Sequence, residues 1–221
     1  MPDRGEAATP DSTGSAGSEA EDPAERRFDY DRTVALSDGV FAIALTLLVL
    51  NIGVPTLGAG HQGVLGSRLL DHGQEYFSYA LGFAVIGLLW VRHHIFFRGV
   101  DHIDTALTVI NLVYLGLVAF LPFPTRILGL YGHQPAAIIL YALTVTIVSI
   151  VARILVVHAI RAGLLSDLGR REVRRHENWL MVPAVFLISI PISFWSANAA
   201  LYSWSLLFVL RAVDRRLAAR H

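Results

Sequence analysis

The 221-residue chain contains neither cysteine nor lysine. Without cysteine there is no disulfide and no thiolate metal site, and the redox compartment cannot be read. All 18 basic residues are arginine, a bias that carries no mechanism by itself. Walker, HExxH, GxSxG and dinucleotide-binding signatures are missing, which removes the common routes to nucleotide, zinc-protease and acyl-transfer chemistry. Charge is scarce. Only 16% of residues are charged against 54% hydrophobic, and the mean hydropathy is +0.52. That is too apolar for a soluble domain with an ordinary water-facing surface. No apolar run follows a basic start at the N-terminus, so no signal peptide is expected.

What charge there is lies unevenly. Residues 1–31 hold nine acids and three arginines, are rich in Ala, Gly, Ser, Thr and Pro, and read as a disordered acidic tail. Beyond it, long apolar stretches dominate. A bilayer core of about 30 Å needs roughly 20 residues of helix. Six stretches reach or approach that length: about 33–53, 76–97, 104–127, 136–158, 178–195 and 197–213. The third is expected to stop at Pro122 and Pro124, and the fifth to kink at Pro183 or Pro191. The last two are divided by a tight turn near Ser196. The domains expected are therefore a tail over 1–31, a six-helix membrane domain over 32–215, and a short end over 216–221. The fold class is all-α.

Six spans place both ends on one side of the membrane. Fifteen arginines then flank the tail side and two, Arg68 and Arg126, the other. Arginine gathers on the cytoplasmic side of membrane proteins, so both termini are expected there, in a multi-pass protein of the cell membrane. The run Arg170-Arg171-Glu172-Val173-Arg174-Arg175 suits an anionic inner leaflet. It reads as a topology signal, and a nucleic-acid role is not expected of so short a loop.

The first span carries the most information. Arg32, Ser37 and Asp38 lead into Gly39–Leu50, where Thr46 is the one polar side chain. At about 100° per residue, Ile43, Leu47 and Leu50 lie within about 60° of one another, with Leu36, Gly39, Val40 and Thr46 extending the stripe. Asp38 falls roughly opposite. An acid at the edge of a lipid-embedded helix marks a network or functional position. Arg32 is six residues away on another face, so the partner of Asp38 must come from another helix; Trp90, His93 and His94 end the second span on the same side. Asn111 in the third span also needs an interhelical partner. Gly82 and Gly87 read as close-packing positions. His93, His94, Asp101, His102 and Asp104 resemble a metal-ligand cluster in composition, but no spacing fixes a geometry. A hydrogen-bond network is the expected use, and no metal is assigned.

These residues carry a family resemblance. Arg32-x-x-x-Leu36-Ser37-Asp38, with Ile43 and Thr46 beyond it, resembles the RxxxFSD first helix of the transmembrane protein 175 potassium channels. Trp90-x-x-His93-His94-x-x-Phe97, Asn111 and Leu121-Pro122-Phe123-Pro124-Thr125 follow in the same order, and the likeness spans roughly residues 26–215. Leu36 stands where the family has Phe, which keeps the apolar character and loses the ring. The resemblance implies a homotetramer of six-helix subunits around four copies of the first helix. It places the constriction at Ile43, five positions after the motif acid. Further pore layers fall at Leu47 and Leu50, and a hydroxyl layer at Thr46. Arg32, Leu36, Ser37, Asp38, Trp90, His93, His94 and Asn111 become the motif and packing network behind the pore. The implied activity is a potassium-permeable cation channel with no cofactor, whose partners are lipid, monovalent cations and its own copies. No TVGYG loop is present, so ions are not selected by stacked carbonyls. A proton-coupled or other secondary transporter and a membrane enzyme using His93, His94 and His102 are the alternatives. The unbroken first helix and the lack of midplane charges weigh against the former.

Overall fold

A computed structural model describes residues 23–54, 65–175, 181–197, 199–201 and 203–204. Among them the chain is helical, apart from short connections and one isolated antiparallel bridge, Val100–Leu165. Four stretches are long and apolar enough to cross a membrane: Phe28–Asn51, Gly73–Phe97, Thr105–Tyr131 and Pro135–Arg161.

Helix α1 (Pro23–Leu47) starts nine residues ahead of the expected membrane domain, inside the stretch counted with the acidic tail. Proline suits a first helical position, because its fixed φ is already helical and its missing N–H would have had no partner there. The extension is tied down where the Tyr30 hydroxyl donates to the Phe97 carbonyl at 2.9 Å. At its far end α1 tightens into a 3-10 turn, Leu48–Asn51. Asn51 Nδ2 donates to the Pro122 carbonyl at 3.0 Å. Just beyond, the Glu75 carboxylate accepts from Gly53 N–H and meets His72 Nδ1, both at 2.6 Å.

A short helix α2 (Leu65–Asp71) precedes α3 (Gly73–Phe97), which matches the expected second span within three residues. The third span departs from expectation. α4 (Thr105–Phe120) breaks for one residue at Leu121, and the prolines then open a new helix, α5 (Pro122–Tyr131). Pro122 and Pro124 sit in its first turn, where a missing N–H is harmless, so they interrupt the span without ending it. Asp104 caps α4 by accepting from Leu107 N–H at 2.6 Å, and it meets His158 Nε2 at 2.8 Å. Partial burial favours the protonated carboxyl, but the Leu107 N–H and His158 outweigh it and hold Asp104 below the usual carboxylate value.

α6 (Pro135–Arg161) is followed by a surface helix, α7 (Asp167–Arg175), and by α8 (Met181–Trp195). α8 carries Pro191 within it and is shorter than a full span. Ser196 N–H still bonds back to the Ile192 carbonyl, and Ser196 Oγ accepts from Ala199 N–H at 3.3 Å, opening the next helical stretch. That stretch turns back: the Trp204 ring lies 5.0 Å from Phe186 and 5.3 Å from Tyr141. Most of the sixth expected span lies outside the described residues.

The core runs through the middle of the bundle, with Phe41 of α1, Leu48 of the 3-10 turn, Ile86 of α3, Val118 of α4, Leu128 of α5 and Tyr141 of α6 all buried. Gly82 permits the α3–α5 approach, since an added Cβ would stand 2.8 Å from Thr125 Cγ2. At Gly87 no such approach is seen among the described residues of the subunit, where nothing lies within 4 Å of where its Cβ would be.

Candidate functional site: the first helix and the network behind it

α1 meets the bundle along one stripe. Ser37, Phe41, Ala44 and Leu48, spaced at helical intervals, are each at most 1% exposed. On the opposite side Leu36, Ile43, Leu47 and Leu50 are 50%, 60%, 41% and 72% exposed, and Gly39 and Thr46 lie open beside them. The 3-10 turn changes the register at the end. Such a turn eclipses residues three apart, so Leu50 stands over Leu47. Of the four long spans, α1 is the least covered by its own subunit: 22% of its apolar window is buried, against 44%, 39% and 50% for the others.

The buried stripe is held by polar bonds as well as packing. Ser37 Oγ donates to the Thr33 carbonyl of its own turn at 2.7 Å, and its oxygen accepts from Asn111 Nδ2 of α4 at 3.1 Å. Asn111 Oδ1 lies 2.9 Å from His93 Nε2 of α3, which must therefore be the protonated ring nitrogen. The imidazole is fixed on both faces. It stacks on Tyr114 at 5.4 Å with an interplanar angle of 2°, and Phe97 and Phe41 lie 4.5 and 5.5 Å away. A second strut stands closer to the surface: Trp90 Nε1–H donates to Asp38 Oδ1 at 2.9 Å, and the indole stacks on His94 at 5.5 Å. The rotation of α1 about its axis is thus set from α3 and α4 by one buried and one half-exposed contact.

Ser37, Asp38, Trp90, His93, His94 and Asn111 are therefore brought together. Arg32 stays outside this cluster, its guanidinium 5.4 Å above the Phe28 ring. Leu36 is on the open face rather than in the network. Asp101, His102 and Asp104 do not converge with His93 and His94, and no group of three His, Asp or Glu among the described residues is placed to hold a metal. Sequence reasoning missed Phe41 and Tyr114, which clasp the imidazole. The four-residue step from Ser37 to Phe41 was the available signal. It also missed Asn51 and the His72–Glu75 pair that fix the end of α1; these lie at helix ends, where periodicity says nothing.

On the open face, Thr46 Oγ1 donates to the Ile43 carbonyl at 2.9 Å. The hydroxyl proton is used inside the helix, which leaves the oxygen lone pairs for whatever the stripe faces. The stripe thus offers a row of branched aliphatic groups interrupted by one acceptor oxygen.

Comparison with known proteins gives a consistent picture. The family model described as endosomal/lysosomal potassium channel TMEM175 matches residues 32–122. A potassium channel of Streptomyces collinus is 40% identical over 142 residues, covering 62% of this chain and 67% of that one. A potassium channel of Chamaesiphon minutus is 34% identical over 201 residues, 86% of this chain and 98% of that one. The mouse endosomal/lysosomal proton channel TMEM175 is 33% identical over 111 residues, which is 22% of its length. Among solved structures, a lysosomal potassium-selective channel TMEM175 homolog from Chamaesiphon minutus superposes with a TM-score of 0.71 at 32% identity, covering 84% of this chain and 97% of that one.

Proposed function

The chain belongs to the TMEM175 family of membrane channels, and on that premise we propose that it is a potassium-permeable channel whose ion path is lined by the open face of α1. The observation that carries this reading is the division of α1. One side is pinned by the Ser37–Asn111–His93 and Asp38–Trp90 contacts, and the other is left uncovered by its own subunit. Four subunits with six spanning helices each would set four such faces around a central axis. The channel domain is residues 32–215. The acidic segment 1–31 and the short end 216–221 lie on the arginine-rich, cytoplasmic side of the cell membrane.

The physics follows from the side chains. Four Ile43 side chains form a neck too apolar to replace an ion's water, so an ion sheds part of its shell to pass, and a closed neck dewets. Potassium is hydrated less tightly than sodium and loses less on entry. Thr46 oxygens, one turn on, return some ligation to the partly stripped ion. Leu47 and Leu50, in line through the 3-10 turn, prolong the apolar tube. The result is a moderate preference set by side chains, with K+ as the permeant ion and no cofactor.

The test is K+ flux into liposomes holding the purified protein, read beside Ile43→Asn. A polar ring hydrates the neck, so the variant carries severalfold more current with a weaker K+ over Na+ preference. The absence of flux from the unaltered protein, or an unchanged ion preference in the variant, overturns the assignment. The animal relative is named a proton channel. A pH-sensitive dye inside the same liposomes therefore reads protons alongside K+.

A further inference from the structure

The arginine run of α7 is more than a topology signal. α7 follows α6 after a link of five residues and is fastened against the end of α3. The fastening is backbone to backbone. Asp101 N–H donates to the Leu164 carbonyl at 2.9 Å and Ser166 N–H to the Gly99 carbonyl at 3.0 Å, beside the Val100–Leu165 bridge. Gly99 and Gly169 cross so closely that a Cβ on either would collide with the other's backbone. Ser166 Oγ accepts from Gly169 N–H at 3.0 Å and caps the helix. Such a mount fixes which side of α7 faces away from the bundle.

At about 100° per residue, Gly169 and Val173 form the inner edge, and Val173 packs on the Phe96–Leu165 core cluster. Arg171 then lies about 180° from Gly169, with positions 174 and 175 on either side of it and Arg170 at one border. Asp167, at the helix N-terminus, shares this arc. The other border is Leu168, 77% exposed. Arg170 Nε donates to the Leu165 carbonyl at 3.2 Å, which orients the guanidinium. Arg98 and Arg161 stand at the ends of α3 and α6, and neither they nor Arg170 and Arg171 pair with a carboxylate among the described residues. The helix carries four arginines against Asp167 and Glu172, a net charge of +2.

We propose that the outer face of α7 is a docking surface for anionic phospholipid, with Arg170 and Arg171 on the headgroup phosphates and Leu168 at the acyl boundary. A short helix just beyond the end of a membrane-length helix, with one exposed apolar border and an arginine face, fits this partner. The assignment rests on the membrane-channel reading only for where α7 lies, and its test needs no current.

The full-length protein in detergent is titrated with dioctanoyl phosphatidylglycerol, dioctanoyl phosphatidylcholine or inorganic phosphate, and Tm is followed. The glycerol lipid raises Tm and the choline lipid does not. In R170Q/R171Q the midpoint of that titration moves up by roughly 25-fold, from about 5-fold for each arginine at such a surface. Arg126→Gln, at the opposite end of the bundle, leaves it in place. An unshifted midpoint in R170Q/R171Q overturns the proposal. So does a Tm rise with phosphate alone at the same concentration, which would make this a free-anion site. A third overturning result is an effect of R170Q/R171Q that ignores lipid and disappears in E19Q/E21Q/D22N, which would assign the arginines to the acidic N-terminal segment.

Discussion

The two sides of α1 are made of nearly the same material and do opposite things. Phe41, Ala44 and Leu48 on one side are as apolar as Ile43, Leu47 and Leu50 on the other, yet the first set is sealed against α3 and α4 and the second is left open. Inside a bilayer this is instructive. Lipid tails are as apolar as leucine, so burying a leucine against protein gains little from leaving the solvent. Close packing and interhelical hydrogen bonds decide which side faces inward. Ser37, Asp38 and Asn111 therefore determine the orientation of α1 more than its hydrophobic residues do.

The sharpest way to break this comparison is to cut the same side chain from each face. Leu48 is fully buried in the main core, and Leu48→Ala leaves a cavity there. The cavity contribution alone is about 2 kcal/mol. Leu50→Ala, 72% exposed, leaves the fold within about 0.5 kcal/mol of the original and alters flux instead. Thermal unfolding of both variants in one detergent checks the pair. Equal losses of stability would mean that the two faces are not distinct.

Removing a polar strut comes next. Asp38→Ala leaves the Trp90 indole N–H without its charged acceptor, a loss of about 1 kcal/mol at a position that water reaches in part. Asp38→Asn keeps an acceptor oxygen and loses less. Both variants are expected to lower the yield of assembled protein on size-exclusion chromatography while unit conductance in the surviving channels stays the same. Full assembly with altered conductance would place Asp38 on the ion path and reverse the two faces.

Much of this was legible from residue spacing, for a reason that also marks its limit. Periodicity separates the faces of a regular helix, so Ile43, Leu47 and Leu50 fall together and Asp38 falls away from them without any coordinates. Spacing cannot choose among neighbours on another helix. Trp90, His93 and His94 were equivalent candidates for Asp38 until the α3 register placed the indole on the carboxylate and the imidazole on Asn111. Helix ends were read least well. Pro122 looks like a stop, yet it starts α5, because proline is excluded from a helix interior and welcome in its first turn. The Asn51–Pro122 and Gly53–Glu75 contacts join segments that share no period, so no pattern announces them.

The smallest effect tests the open face alone. Among the described residues the Thr46 hydroxyl bonds only to its own helix, at the Ile43 carbonyl, so Thr46→Ala breaks no hydrogen bond to α3 or α4. Alanine is also the better helix former, and Tm should stay level or rise slightly. What disappears is the outward acceptor oxygen. If that oxygen favours K+ over Na+ by roughly 0.5–1 kcal/mol, its loss lowers the K+ over Na+ permeability ratio about two- to fivefold. The reversal potential in mixed salts then moves toward zero. An unaltered reversal potential with unaltered Tm would leave Thr46 facing lipid, and the neighbouring Ile43 and Leu47 would face lipid with it, because a rigid helix cannot turn one residue of a stripe away from the others.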